Sequence, residues 1–102
     1  MAEESTGGVH AGAAVLDIGD DIGALVIYTR AELCGREIEV SPKGSAKRTH
    51  VQVLERRVRD RPVFAAVFPG LHAGDYDIWD EAPTPIDTVT IVGGQVATRD
   101  WR

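Results

Sequence analysis

The amino-acid sequence predicts an all-β fold, a seven- to eight-stranded antiparallel β-sandwich, and three observations carry that expectation. Apolar and polar residues alternate with period two along short segments, most clearly in "REIEVS", where Ile38 and Val40 stand against Glu37, Glu39 and Ser41. Turn signals built from Gly, Pro and Asp recur about every 8–12 residues, the spacing of a small sandwich. No segment carries the period of an amphipathic helix.

Taken in order, residues 1–10 are polar, Gly-rich and without period, and read as a flexible N-terminal tail. Residues 11–102 form one domain, since a chain of 102 residues holds a single core. "AAVLDI" and "ALVIYT" are short apolar runs rich in Val and Ile, and the intervening "GDDIG" suits a tight reversal between two strands. "LCG" is a turn before "REIEVS". "RTHVQVLERRV" continues the alternation, with Thr49, Val51 and Val53 on one face and His50 and Gln52 on the other. "PVFAAVFPG" is apolar throughout, as expected of a central strand covered on both sides, and its flanking prolines favour strand over helix. At the end of the chain, "DTVTIV" and "QVATRDW" flank Gly93-Gly94, a pair free to take positive φ. A two-residue hairpin is expected there, with Ile91 opposite Val96 and Val89 opposite Thr98.

The stretch "FPGLHAGDYDIW" has the form F-x-x-L-x-x-G-x-Y-x-I, carried by Phe68, Leu71, Gly74, Tyr76 and Ile78. With the following "DTVTIVGGQVATRDW" it resembles the end of a prealbumin-like, immunoglobulin-like sandwich of the carboxypeptidase regulatory-domain type, also found in collagen-adhesin B-type repeats. The resemblance covers about the last 40 residues and implies a fold in which the Tyr and the aliphatic residue are buried as one strand turns into the next. Val89, Ile91 and Gly94 imitate the family's closing strand, which a last edge strand follows. The shared phrase is structural, so it implies fold and not chemistry. Transthyretin-like hydrolases end in Tyr-Arg-Gly-Ser, whereas this chain ends in "TRDWR", and the isopeptide bond of adhesin repeats has no Asn to use, which leaves only its rarer Lys to Asp version.

Composition excludes several classes. No apolar run approaches the roughly 20 residues of a membrane span, and "MAEESTGGVHAGAAVL" has acids where a secretory signal needs bases. Together with the single cysteine, Cys34, this predicts a cytoplasmic protein. Nine arginines against two lysines, and no asparagine, point to a GC-rich bacterial source. The net charge of −5 is unevenly spread: residues 43–61 carry +5 and the remainder −10. Such a dipole orients a protein toward a charged partner or its own copies. Nucleic acid is disfavoured, because the acidic remainder repels phosphate and the basic segment has no aromatic before Phe64.

No catalytic set stands out. Ser41, Ser45 and Cys34 are the candidate nucleophiles, and His50 and His72 the candidate bases. "SPKGS" is no nucleophile elbow, however, and Cys34 has no nearby His in sequence. The two histidines stand alone, and the acids of "DIGDD" and "DYDIWDE" lack the spacing of a calcium loop, so neither metal nor cofactor is expected. Trp79 falls out of phase with Tyr76 and Ile78 and should point outward with Asp75 and Asp77. Trp101 should lie on an edge strand. The sequence thus predicts a non-enzymatic interaction module that contacts a protein partner or itself. Its contacts would be the basic hairpin residues Arg56, Arg57, Arg59 and Arg61, together with Trp79. The alternative is a small-ligand or substrate-binding domain, with hydrolytic activity using His50 or His72 as its minor form.

Overall fold

The computed structural model of the chain describes residues 10–11 and 14–102. It is all-β: β1 (His10–Ala11), β2 (Ala14–Val15), β3 (Ile22–Thr29), β4 (Glu37–Pro42), β5 (Thr49–Gln52), β6 (Leu54–Val58), β7 (Arg61–His72), β8 (Gly74–Trp79), β9 (Asp87–Ile91) and β10 (Val96–Asp100), with one 3-10 turn at Ala31–Leu33. But for His10, the tail expected over residues 1–10 lies outside the described residues. Among those described, no helix is long and apolar enough to cross a membrane.

Two four-stranded sheets face each other, the first in the order β10-β3-β7-β6 and the second in the order β5-β4-β8-β9. Alternation decides what lies between them. Leu25 and Ile27 of β3, Ala66 and Phe68 of β7, Ile38 and Val40 of β4, Tyr76 and Ile78 of β8, and Val89 and Ile91 of β9 form one buried cluster. The central strand expected at "PVFAAVFPG" is β7, and it is covered on both sides. Its Ala65 and Val67 face away from the second sheet into a smaller cluster with Ala24, Val26 and Leu16. Pro69 is tolerated inside so long a strand because the β3–β7 register shifts there, between Gly23 and Leu25.

The Phe68 to Ile78 phrase behaves as its pattern requires. Phe68, Leu71, Tyr76 and Ile78 are buried, and Gly74 sits at φ +146° where β7 turns into β8. The Tyr76 hydroxyl donates to the His72 carbonyl at 2.7 Å. That bond satisfies the one polar atom of a ring otherwise packed in the core.

Four sequence expectations are corrected. Gly93-Gly94 does not close a hairpin. β9 pairs with β8, so Val89 lies opposite Tyr76 and Ile91 opposite Gly74. β10 crosses to the other sheet, with Val96 beside Ala24 and Thr98 beside Val26. The reason is turn geometry. Gly94 alone has positive φ, at +76°, and the Val92 carbonyl accepts from the Gln95 N–H at 3.1 Å. A primed hairpin turn needs positive φ at its first central residue, and an unprimed turn splays the strands it joins. β10 runs parallel to β3, so the sandwich is mostly, not wholly, antiparallel. "RTHVQVLERRV" is two strands in different sheets. Val53, fully buried, is the pivot between β5 and β6, and its N–H and carbonyl are held by Arg36 and Gly35 at 2.9 and 2.8 Å. Finally, "GDDIG" does reverse the chain, with Gly19 and Ile22 exchanging backbone bonds, but β2 pairs with β1 and not with β3.

Candidate functional site

β6 and β7 form a hairpin at the edge of the first sheet, in the register Leu54↔Ala65 through Val58↔Arg61. Its two-residue loop is Arg59-Asp60, at φ +53° and +65°, the backbone of a type I′ turn, which Asp tolerates and Arg seldom adopts. Because directly opposed residues share a face, Leu54, Arg56 and Val58 stand on the face away from the second sheet. Glu55 and Arg57 stand on the other. Leu54 and Val58 are large apolar side chains left 44% and 41% exposed.

The arginines divide into two groups. Of the nine in the chain, Arg30, Arg36, Arg48, Arg99 and Arg102 each have a carboxylate within salt-bridge distance. Arg56, Arg57, Arg59 and Arg61 have none among the described residues, although Glu55 and Asp60 are their chain neighbours. Arg56 lies back along the sheet, its Nε donating to the Ala65 carbonyl at 3.4 Å, and partial burial lowers its pKa. Arg57 reaches only the Asp60 carbonyl, at 3.4 Å. Arg59, Arg61 and Arg102 line an open hollow of about 510 Å³ floored by Val58, Pro62 and Val63. Arg102 is held there by two 2.9 Å bonds to Asp100, and that grip pulls the Asp100 carboxyl down to about 2.

Trp79 belongs elsewhere. It points outward from the second sheet as its phase requires, across from Glu39 on β4. Its Nε1–H donates to Ser41 Oγ at 2.9 Å, the Arg48 guanidinium covers its ring at 3.7 Å, and Arg48 in turn pairs with Glu39 at 2.9 Å. The structure therefore brings together Arg56, Arg57, Arg59 and Arg61 on one hairpin, and leaves Trp79 on the other sheet under its own cation. Trp101 packs against the core and donates to Asp87 Oδ2 at 3.3 Å.

The remaining candidates are scattered. His72 is exposed beside Asp21 at 3.3 Å, and His50 is exposed with Glu37 at 4.0 Å. His72 lines a hollow with Lys47, Arg48 and Tyr76 that His50 does not share. Cys34 is exposed in the turn after the 3-10 segment. Ser41 is buried beneath Trp79, and Ser45 accepts from the Lys47 N–H. No nucleophile stands beside a base in these contacts. Within "DYDIWDE" three acids are separately engaged: Asp75 by Thr90, Asp77 by Lys43 and Asp80 by the Ala82 N–H. Among the described residues, no three His, Cys, Asp or Glu side chains converge.

What the sequence missed was the apolar component. Leu54 and Val58 sit in a segment that charge made conspicuous, and their exposure follows from facing away from the second sheet, which period alone does not reveal.

No family model matches the chain, and no curated protein does. Among solved structures it is similar to a leucine-rich repeat protein from Bacteroides thetaiotaomicron, at a TM-score of 0.50 and 13% identity. The match covers 80% of this chain and 12% of that one. At that identity the likeness concerns the fold alone.

Proposed function

We propose that this chain is a non-enzymatic binding module that engages the acidic surface of a protein partner through the β6–β7 hairpin. One observation carries the proposal: the four arginines without a carboxylate partner among the described residues are all on this hairpin, beside two exposed aliphatic side chains. Arginine with adjoining apolar surface is the composition of an interface core, because a planar guanidinium pairs with carboxylates and stacks on flat groups at low desolvation cost. Trp79 is left out of the proposed surface, since Arg48 covers its ring and Ser41 takes its N–H. We place the fold in the prealbumin-like class, in support of which stand the buried Phe68 to Ile78 phrase and a last strand at a sheet edge. The composition and single cysteine favour a bacterial cytoplasm as its setting.

The test is capture of partners from lysate of the source cells by the wild type and by a variant combining Arg57→Glu, Arg59→Glu and Arg61→Glu. A near-stoichiometric protein released by salt should be lost in the triple variant and retained by Trp79→Ala. Retention by the triple variant, or loss only in Trp79→Ala, would overturn the assignment.

A further inference from the structure

The two open sides of the sandwich are not alike. On one, β9 and β10 are tied to each other by side chains: Arg99 bonds the Thr88 carbonyl at 2.7 Å and pairs with Asp87 at 3.3 Å, and Trp101 adds its own bond to Asp87. On the other, among the described residues no strand pairs with the outer edge of β6. An edge of this kind invites another strand.

The chemistry of β6 specifies which strand. Its sequence, Leu54-Glu55-Arg56-Arg57-Val58, complements itself when run antiparallel about Arg56. Leu54 then opposes Val58 of the second copy, so that two exposed aliphatic pairs cover each other, and Glu55 opposes Arg57 in two symmetric ion pairs. Backbone groups on a strand point alternately to its two edges, so a two-fold axis must pass through a residue and not between residues for outward groups to meet outward groups. Centring on Glu55 would set Leu54 against Arg56. Centring on Arg57 would set Val58 against Arg56 and bring the Arg57 pair together. Only the Arg56 centre matches apolar with apolar and acid with base. Its one conflict is Arg56 against Arg56, and that side chain is already turned back over its own sheet toward the Ala65 carbonyl.

We infer that β6 pairs antiparallel with β6 of a second copy about Arg56, joining two four-stranded sheets into one of eight. This rests on the same hairpin as the proposed binding surface, and it leaves Arg59 and Arg61 of both copies at the two ends of the joined strands, free for an acidic partner. The pairing is isologous, so it closes at two copies.

Sedimentation equilibrium on the full chain tests it by charge exchange. Glu55→Arg and Arg57→Glu should each weaken the dimer roughly tenfold or more, and the two together should restore it to within about threefold of wild type. Arg56→Thr, which removes the one repulsion, should tighten it. In a Cys34→Ser background, Arg56→Cys should oxidise to a symmetric disulfide, because opposed residues in an antiparallel pair sit at about 4.5–5.5 Å between Cα atoms, within disulfide reach. A chain monomeric at all concentrations, or a dimer indifferent to both single reversals, would sink the inference. Capture of a salt-released partner through Arg59 and Arg61 by a strictly monomeric chain would defeat the second copy while leaving the binding surface standing. A β6 dimer that captures nothing would do the reverse.

Discussion

Arg59 and Asp60 hold the tip of the basic hairpin at positive φ, a conformation that costs an ordinary L-residue such as Arg about 1–2 kcal/mol and Asp less. The sequence offers no Asn-Gly or Gly-Gly pair there, and the chain spends that stability on placing a guanidinium at the turn. Asp60→Gly relieves one of the two strained positions, φ +65°, without removing an arginine. It should raise stability by about 0.5–1 kcal/mol, a few degrees in Tm, measured by thermal unfolding, with partner capture unchanged. A lower Tm would mean that the Asp60 side chain matters more to the turn than its backbone strain. The same position shows where sequence rules mislead: the glycine pair that looks like a hairpin at 93–94 is not one, while the pair that makes one carries no turn-favouring glycine. Charge alone made the hairpin at 56–61 conspicuous. Turn chemistry did not.

At the level of elements, strand positions and the inward residues of β4 and β8 follow from alternation, because a half-buried strand must sort its side chains by face. Which sheet a strand joins does not follow. β5 and β6 are separated by Val53 alone, which hands the chain from one sheet to the other, and the only local mark of the bend is the adjacent apolar pair Val53-Leu54, where the period-two phase changes. The arch between β9 and β10 is fixed by packing against the turn before β3. The Gly94 N–H bonds the Ile22 carbonyl at 2.9 Å, and a Cβ on Gly93 would strike the Asp20 carbonyl. Gly93→Ala should therefore destabilise the fold by about 1–3 kcal/mol through overpacking. Gly94→Ala, which meets open space but holds φ +76°, should cost about 1 kcal/mol. Urea unfolding of the pair separates them, and equal costs would show that backbone strain alone governs the arch. The unforeseen cover on Trp79 has the same origin: its phase made its direction legible, but Arg48 arrives from the loop before β5, beyond the reach of any local pattern.

Across the whole molecule, a net charge of −5 conceals a segment of +5, and the fold gathers four of its bases onto one hairpin. The expected consequence is that the protein binds a cation-exchange matrix at pH 7 and low salt despite a sequence pI near 5.0. The Arg57, Arg59 and Arg61 to Glu variant should flow through, whereas the wild type should elute only as salt shortens the Debye length to about 10 Å. Flow-through of the wild type would mean that the acidic remainder dominates its field. The parallel pairing of β10 with β3 bears on the order in which the protein comes into being. A ribosome delivers β3 first and β10 last, so during synthesis β3 waits with one bare edge, and the core lacks the cover that Ala97 and Trp101 give it. The first sheet cannot close until the final strand has left the exit tunnel. Folding of this domain thus waits for its last strand, and nascent chains halted before Val96 present an unpaired apolar edge to chaperones and to one another.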